Sequence, residues 1–214
     1  MTPKAVIFDC DGVVVDSEPA TLKLLRSELA ERGLPLSEAQ LAEGFIGHVM
    51  PDIATKARGL GADLPADWAE RFYERLYAHL AQGVELIPGI LQVLDRLEAA
   101  GIPFGIGSNG SERKMRVTLG QHPGLTERFQ VVMSGQTIAR PKPAPDLYLA
   151  VARSLGAAPD DCIVIEDSPT GARAARAAGI RCLGYAPHGN EPLAAEGATI
   201  FASMLDLPDL LGLR

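Results

Sequence analysis

Ala5-Val-Ile-Phe8, closed by Asp9-Cys-Asp11-Gly-Val13, decides the fold. Its four apolar residues show no polar alternation, the pattern of a parallel strand buried on both faces, and they stop on two carboxylates and a glycine. Runs of the same character recur at 102–106, 130–133, 162–165, 180–183 and 199–201, and the segments between them carry helix periodicity rich in Ala, Leu, Arg and Glu. Strands alternating with helices in this way predict an α/β fold, a doubly wound parallel sheet with a Rossmann-like core.

Helix boundaries agree. Ser37 and Gln40 form a capping-box pair, Ser111 stands before Glu112, and Ser168-Pro169 joins a cap residue to a proline at the first helical position. Gly101 and Gly179 are placed to stop helices. Within 169–178, Gly171, Ala172, Ala174, Ala175, Ala177 and Ala178 leave so little side-chain volume that the helix can approach a sheet closely. One interval breaks the rhythm: about ninety residues separate the first two runs, where a crossover needs a dozen or more. Residues 16–85 hold helix patterns, among them 22–32, 41–45 and 68–80, and almost no strand pattern. They are expected to form an inserted α-helical cap domain, with 1–15 and 86–214 as the core domain and junctions near 15–18 and 83–89.

The chain's 214 residues, 47% of them hydrophobic, suffice for one such core and a smaller insertion. Its 20 Lys and Arg against 27 Asp and Glu leave a net charge of −7, with the basic residues scattered. That argues against general affinity for nucleic acid or acidic membranes, and for a small-molecule partner. Cys10, Cys162 and Cys182 show no C-x-x-C spacing, so neither a disulfide framework nor a zinc site is indicated. The first apolar run ends at Asp9, too short for an export signal, and no run approaches the ~20 residues of a membrane-spanning helix. A cytoplasmic location is the expectation.

Open α/β sheets place their ligands at the carboxyl ends of the strands. Asp9 and Asp11 can face one point if the chain turns after the first strand, and Gly12 makes that turn easy. Two neighbouring carboxylates repel unless a cation or a shared proton intervenes, and oxygen donors of this kind suit Mg²⁺. Taken alone, the five residues fit a surface turn equally well. Three further strand ends carry polar groups: Ser108-Asn109, Lys142 and Glu166-Asp167. Each by itself has a plain structural explanation, as a turn, a solvated charge or an acidic helix start. Together they supply a nucleophile, an acid/base, a metal cradle, phosphate donors and a fixed cation, the set that phosphoryl transfer requires.

With Asp9-Cys-Asp11-Gly-Val13, Ser108-Asn109, Lys142 within Arg140-Pro-Lys-Pro-Ala-Pro-Asp146, and Glu166-Asp167-Ser168, the whole chain resembles the haloacid dehalogenase-like (HAD) hydrolase superfamily in motif order, spacing and strand context. The helical insertion is similar to the first cap subclass, shared by β-phosphoglucomutase, phosphoglycolate phosphatase and 6-phosphogluconate phosphatase. The resemblance implies a phosphatase for a small phosphate monoester, a sugar phosphate or a short organic-acid phosphate. Asp9 would form an aspartyl phosphate, and Asp11 would serve as acid and then as base. It implies Mg²⁺ held by the carboxylates of Asp9 and Asp167 and the backbone carbonyl of Asp11, with Glu166 as a further ligand or an outer-shell acceptor. Ser108, the amide of Asn109 and Lys142 would bind phosphoryl oxygens. A cis Lys142–Pro143 peptide is implied too, as is a substrate-facing cap loop, Phe45-Ile-Gly47-His48-Val-Met50, with Gly47 and His48 as candidate substrate contacts.

Rival readings depart at particular residues. A mutase of the β-phosphoglucomutase type would share both aspartates, but Ile46, Met50 and Thr21 stand where that enzyme carries basic residues or histidine. A dehalogenase would not need Asp11, because a halide leaves without a proton. A phospho-accepting receiver domain, the non-enzyme rival, needs neither the long insertion nor an acid/base beside the nucleophile. Gly105-Ile-Gly107-Ser-Asn-Gly110 satisfies the dinucleotide pattern, yet the next strand ends in Met133-Ser134 without a ribose-binding acid. His79, His122 and His188 read as surface or loop residues, and Trp68, Phe72, Tyr73 and Tyr77, at helical spacing, as cap core.

Overall fold

A computed structural model of the chain describes residues 2–45, 50–189 and 191–213. The chain divides into two compact units, Met1–Asp16 with Glu85–Arg214, and Ser17–Val84. Along the chain, β1 (Ala5–Phe8) and β2 (Val15–Asp16) precede α1 (Glu18–Glu31), α2 (Glu38–Phe45), α3 (Met50–Gly59) and α4 (Trp68–Leu80). There follow β3 (Glu85–Leu86), α5 (Ile90–Ala99), β4 (Phe104–Ser108), α6 (Glu112–Leu119), α7 (Leu125–Arg128), β5 (Val131–Ser134) and α8 (Asp146–Ser154). The chain closes with β6 (Cys162–Glu166), α9 (Pro169–Ala177), β7 (Arg181–Tyr185), α10 (Glu191–Ala195), β8 (Thr199–Phe201) and α11 (Leu207–Leu210).

Six strands, coinciding with the six apolar runs, form one parallel sheet in the order β5-β4-β1-β6-β7-β8. The strand order reverses at β1, and a crevice opens outside the carboxyl ends of the strands at such a reversal. Ile7 stands opposite both Gly105 of β4 and Val164 of β6, so the residues just past β1 lie between the ends of its two neighbours. A second, two-stranded antiparallel pair, β2 with β3, flanks the insertion in the sequence.

Two-sided burial explains the continuous apolar runs. Ala5 and Ile7 enter a core with Leu147, Tyr148 and Val151 of α8 and Ala172, Ala174 and Ala175 of α9. From the alternate position of β1, Phe8 meets Phe104 and Phe129 edge to face, each at 6.3 Å between ring centroids, and those two rings meet one another edge to face at 5.3 Å. The glycines of the apparent dinucleotide pattern serve packing: a Cβ on Gly105 would lie 2.5 Å from Val131 Cγ1. The Lys142–Pro143 peptide is cis.

The predicted caps form. Ser37 N–H donates to Gln40 Oε1 at 2.9 Å while Gln40 N–H donates to Ser37 Oγ at 3.2 Å. Ser111 and Ser168 accept from the backbone N–H of Lys114 and Gly171, at 3.0 and 3.1 Å.

The second unit is helical. α1 and α3 pack on α4 through Leu25, Leu29, Ile53, Ala57, Trp68, Phe72, Leu76 and Leu80, all buried. Buried Glu28 accepts from Trp68 Nε1 at 3.0 Å and is paired with Arg75. Tyr73 and Tyr77 differ from expectation: they are half-buried and tilted against one another at 6.2 Å, off the Trp68-Phe72-Leu76-Leu80 stripe. Gly47 and His48 lie outside the described residues.

Candidate active site

The site is built on the end of β1. Asp9 N–H donates to Ile165 O at 2.9 Å, which carries the strand pairing one residue further and fixes the Asp9 backbone beside β6. The chain then turns at Gly12, whose φ of 76° suits glycine. A Cβ at Gly12 would lie 1.9 Å from Asp167 Oδ2, so the turn passes directly against that carboxylate and only glycine fits.

Lys142 is the hub, although it lies far along the chain. Its Nζ sits 2.5 Å from Asp9 Oδ1 and 2.7 Å from Glu166 Oε1, and 4.6 Å from the centroid of the Tyr148 ring. The ammonium is almost wholly buried, so its charge is spent on these partners instead of on water. Asn109 braces the loop that carries it: Lys142 N–H donates to Asn109 Oδ1 at 3.0 Å, and Asn109 Nδ2 donates to the Lys142 carbonyl at 3.1 Å. The side-chain amide of Asn109 thus holds Lys142 through both of its polar atoms. Ser108 Oγ accepts from Gly110 N–H at 3.1 Å, and Ser134 Oγ donates to the Gly110 carbonyl at 2.6 Å, closing the same loop.

Glu166, read from the sequence as a further metal ligand or an outer-shell acceptor, has both carboxylate oxygens hydrogen-bonded within the protein. Oε1 accepts from Lys142 Nζ and, at 2.7 Å, from the Tyr148 hydroxyl. Oε2 accepts from Asp167 N–H at 3.0 Å, Ser168 N–H at 2.9 Å and Ser168 Oγ at 2.8 Å. Five donors occupy its two oxygens, and the carboxylate stands against the Lys142 ammonium. Its enclosure extends to α9, where a Cβ on Gly171 would fall 1.6 Å from Oε1.

Charge is unbalanced around this hub. Burial pushes the Asp9 carboxyl up to about 7, against the pull of Lys142 and with help from Glu166 and Asp11. Burial, then Glu166 and Asp9, raise Asp167 well above the usual carboxylate range. Glu166 goes the other way: burial opposes its ionisation, but Lys142 and the hydrogen bonds from Tyr148 and Ser168 outweigh it and hold its carboxyl low. For Lys142 burial is likewise overcome, by Asp9 and Glu166, so the ammonium is held above its ordinary value. Cys10, between the two aspartates, is a buried thiol pushed well up by burial and by those carboxylates.

The donors gathered here are hard oxygens of the kind that suit a cation such as Mg²⁺, and burial together with the neighbouring carboxylates raises both Asp9 and Asp167. Among the described residues no group of three or more His, Cys, Asp or Glu side chains converges as a ready metal cluster. Mg²⁺ is commonly bound by one or two carboxylates and keeps water or phosphate for its other positions.

Tyr148 and Lys114 belong to the site, and neither was singled out from the sequence. Lys114 Nζ lies 2.8 Å from Asp11 Oδ1. The available signal was its place at the third position of a helix capped by Ser111, since helical side chains lean back toward the N-terminus and the loop there.

A doubly wound α/β sheet that gathers two aspartates, a buried lysine and anion-facing loops at its switch point defines an enzyme of phosphoryl chemistry. Residues 3–179 match the sequence profile of the haloacid dehalogenase-like hydrolases, and the chain belongs to that family. It is 37% identical over 224 residues to phosphoglycolate phosphatase of Rhodospirillum rubrum, covering 98% of this chain and 91% of that one. It is 34% identical over 187 residues to hexitol phosphatase A of Escherichia coli, covering 86% and 83%. A HAD family hydrolase from Deinococcus radiodurans, solved with bound phosphate and sodium, is 36% identical with a TM-score of 0.84, covering 99% of this chain and 97% of that one. The protein is therefore a phosphoric monoester hydrolase, which removes the receiver-domain reading. Among the described residues no helix is long and apolar enough to cross a membrane.

Proposed function

We propose that the protein is a Mg²⁺-dependent phosphatase for a small phosphate monoester, working through a phosphorylated Asp9. The convergence of Asp9, Lys142 and Asp167 at the strand ends, with Asp11 two residues past Asp9, carries this reading. An Asp9 carboxylate oxygen attacks phosphorus, the phosphorus–oxygen bond to the leaving group breaks, and Asp11 gives that oxygen a proton. Water then attacks the same phosphorus, Asp11 takes its proton, and the bond to Asp9 breaks to release phosphate. Ser108, the backbone amide of Asn109 and Lys142 donate toward the phosphoryl oxygens.

The carboxylates of Asp9 and Asp167 and the backbone carbonyl of Asp11 would hold Mg²⁺, with Glu166 in the outer shell. Bound there, the ion supplies the positive charge that lets one anion approach another.

Substrate selection we assign to the inserted segment 16–85, leaving 1–15 and 86–214 as the catalytic core. The substrate class is a sugar phosphate or a short organic-acid phosphate, consistent with relatives named for phosphoglycolate and hexitol phosphates. Hydrolysis is favoured over mutase chemistry by the placement of four cations of that segment, Lys56, Arg58, Arg71 and Arg75. Lys56 Nζ donates to Gly44 O, Arg58 to the carbonyls of Leu64 and Pro65, and Arg71 and Arg75 are paired with Asp67 and Glu28. Cations so engaged are poorly placed to hold the second phosphate of a bisphosphate intermediate.

The test is phosphate release from 2-phosphoglycolate, hexose and hexitol phosphates and nucleotides, with Mg²⁺ or with EDTA, for wild type and Asp9→Asn. Release confined to the Mg²⁺ arm, and absent from the variant, is expected. Near-wild-type turnover by Asp9→Asn would overturn the assignment.

A further inference from the structure

Asp11 acts, on the reading above, only if its carboxylate points where the leaving-group oxygen and the attacking water arrive. Two groups set that direction. Lys114 Nζ holds Oδ1 at 2.8 Å, from a side chain only 19% exposed. Gly110 lies against Oδ2, where a Cβ would sit 3.5 Å from that oxygen and 3.3 Å from Ser108 Oγ. Lys114 is itself anchored. Its backbone N–H donates to the Ser111 cap at 3.0 Å, at the start of the helix that leaves the Ser108–Gly110 loop. A pair this enclosed is screened less than a surface ion pair, so the grip on Oδ1 persists in salt.

We propose that Lys114 is a positioning residue for the acid/base step, holding Oδ1 of Asp11 so that Oδ2 faces the phosphate-binding loop and carries the proton to and from the reacting oxygens. Lys114 touches neither phosphate nor leaving group in this role; it acts through Asp11. The inference rests on the assignment of Asp9 as nucleophile and Asp11 as acid/base.

Two esters separate a positioning role from a structural one. An alkyl phosphate such as a sugar phosphate needs a proton on its leaving oxygen, whereas p-nitrophenyl phosphate does not. In the Mg²⁺-loaded enzyme, Lys114→Met should lower kcat/KM for the alkyl ester by about tenfold or more, part of what acid catalysis contributes. The aryl ester should change far less, and Lys114→Arg should restore most of the alkyl rate. In an Asp11→Asn background, Lys114→Met should add no further loss on the aryl ester. Equal losses on both esters, an unchanged ratio, or a further loss in the Asp11→Asn background would overturn the proposal and make Lys114 a structural or general anion-attracting charge. Wild-type turnover of the two esters tests the phosphatase reading itself, and the ratio between them tests Lys114.

Discussion

Glu166→Gln replaces a single atom in a fully buried carboxylate, and its cost can be worked from the five donors around it. An amide has one accepting end and one donating end. Turned with its NH₂ toward Asp167 and Ser168, it strands two backbone N–H groups, while the Ser168 hydroxyl can rotate to accept. Turned the other way, it takes from the Lys142 ammonium one of its two carboxylate partners, Asp9 remaining, while the Tyr148 hydroxyl can rotate. Each stranded donor costs about 1–3 kcal/mol, and a charged one lies at or above the upper end. The second orientation is the cheaper, at about 3 kcal/mol for one lost charged hydrogen bond, and it sets the cost. At 2–4 °C per kcal/mol for a chain of this size, that lowers the unfolding midpoint by about 6–12 °C. Calorimetry in EDTA at pH 7 reads this directly, with Tyr148→Phe, which removes one donor, as the smaller reference at about 1 kcal/mol. The pH dependence has a definite sign. The Glu166 carboxyl is held below its ordinary 4.5, so its contribution is complete above that value and is lost as the pH falls toward the lower folded pKa. The gap between wild type and variant should narrow as the pH falls below about 4.5. A midpoint shift under about 3 °C at pH 7, or a gap that does not narrow in acid, would show that Glu166 is not the ionised acceptor of these donors.

Gly171→Ala places a methyl 1.6 Å from Glu166 Oε1, so the thermal midpoint should fall sharply, although the same change in an open helix gains about 0.5–1 kcal/mol; a raised midpoint would refute the packing. Asp9, raised to about 7, and Asp167, raised well above 3.8, keep protons in the folded state that the unfolded chain has lost. Stability without metal should then fall as the pH rises from 3.8 through about 7, and Mg²⁺ should raise the midpoint more at pH 8 than at pH 5; equal gains would contradict this. β-Glucose 1-phosphate with a trace of the bisphosphate should yield inorganic phosphate or nothing by phosphorus NMR, and accumulation of glucose 6-phosphate without phosphate release would favour a mutase.

What the amino-acid sequence determined by itself is what short range determines. Burial on both faces leaves an unbroken apolar run, so all six strands of the parallel sheet are legible, and a cap such as Ser37 with Gln40 closes within one turn. The long gap after β1 showed an insertion, although α3 escaped notice because two of the residues on its buried stripe, Met50, Ile53, Ala54 and Ala57, are alanines. The polar residues at the strand ends were visible as candidates, but their division of labour was not. Asp9 and Lys142 are 133 residues apart, and only the strand order beside β1 brings their elements together. Tyr148 and Lys114 join the site through the docking of α8 and the start of α6, which no spacing in the chain records. That Glu166 gathers five donors is likewise a property of the tertiary structure alone. Desolvation and hydrogen-bond saturation depend on how many groups converge from distant segments, and that number exists only once the sheet has closed around them.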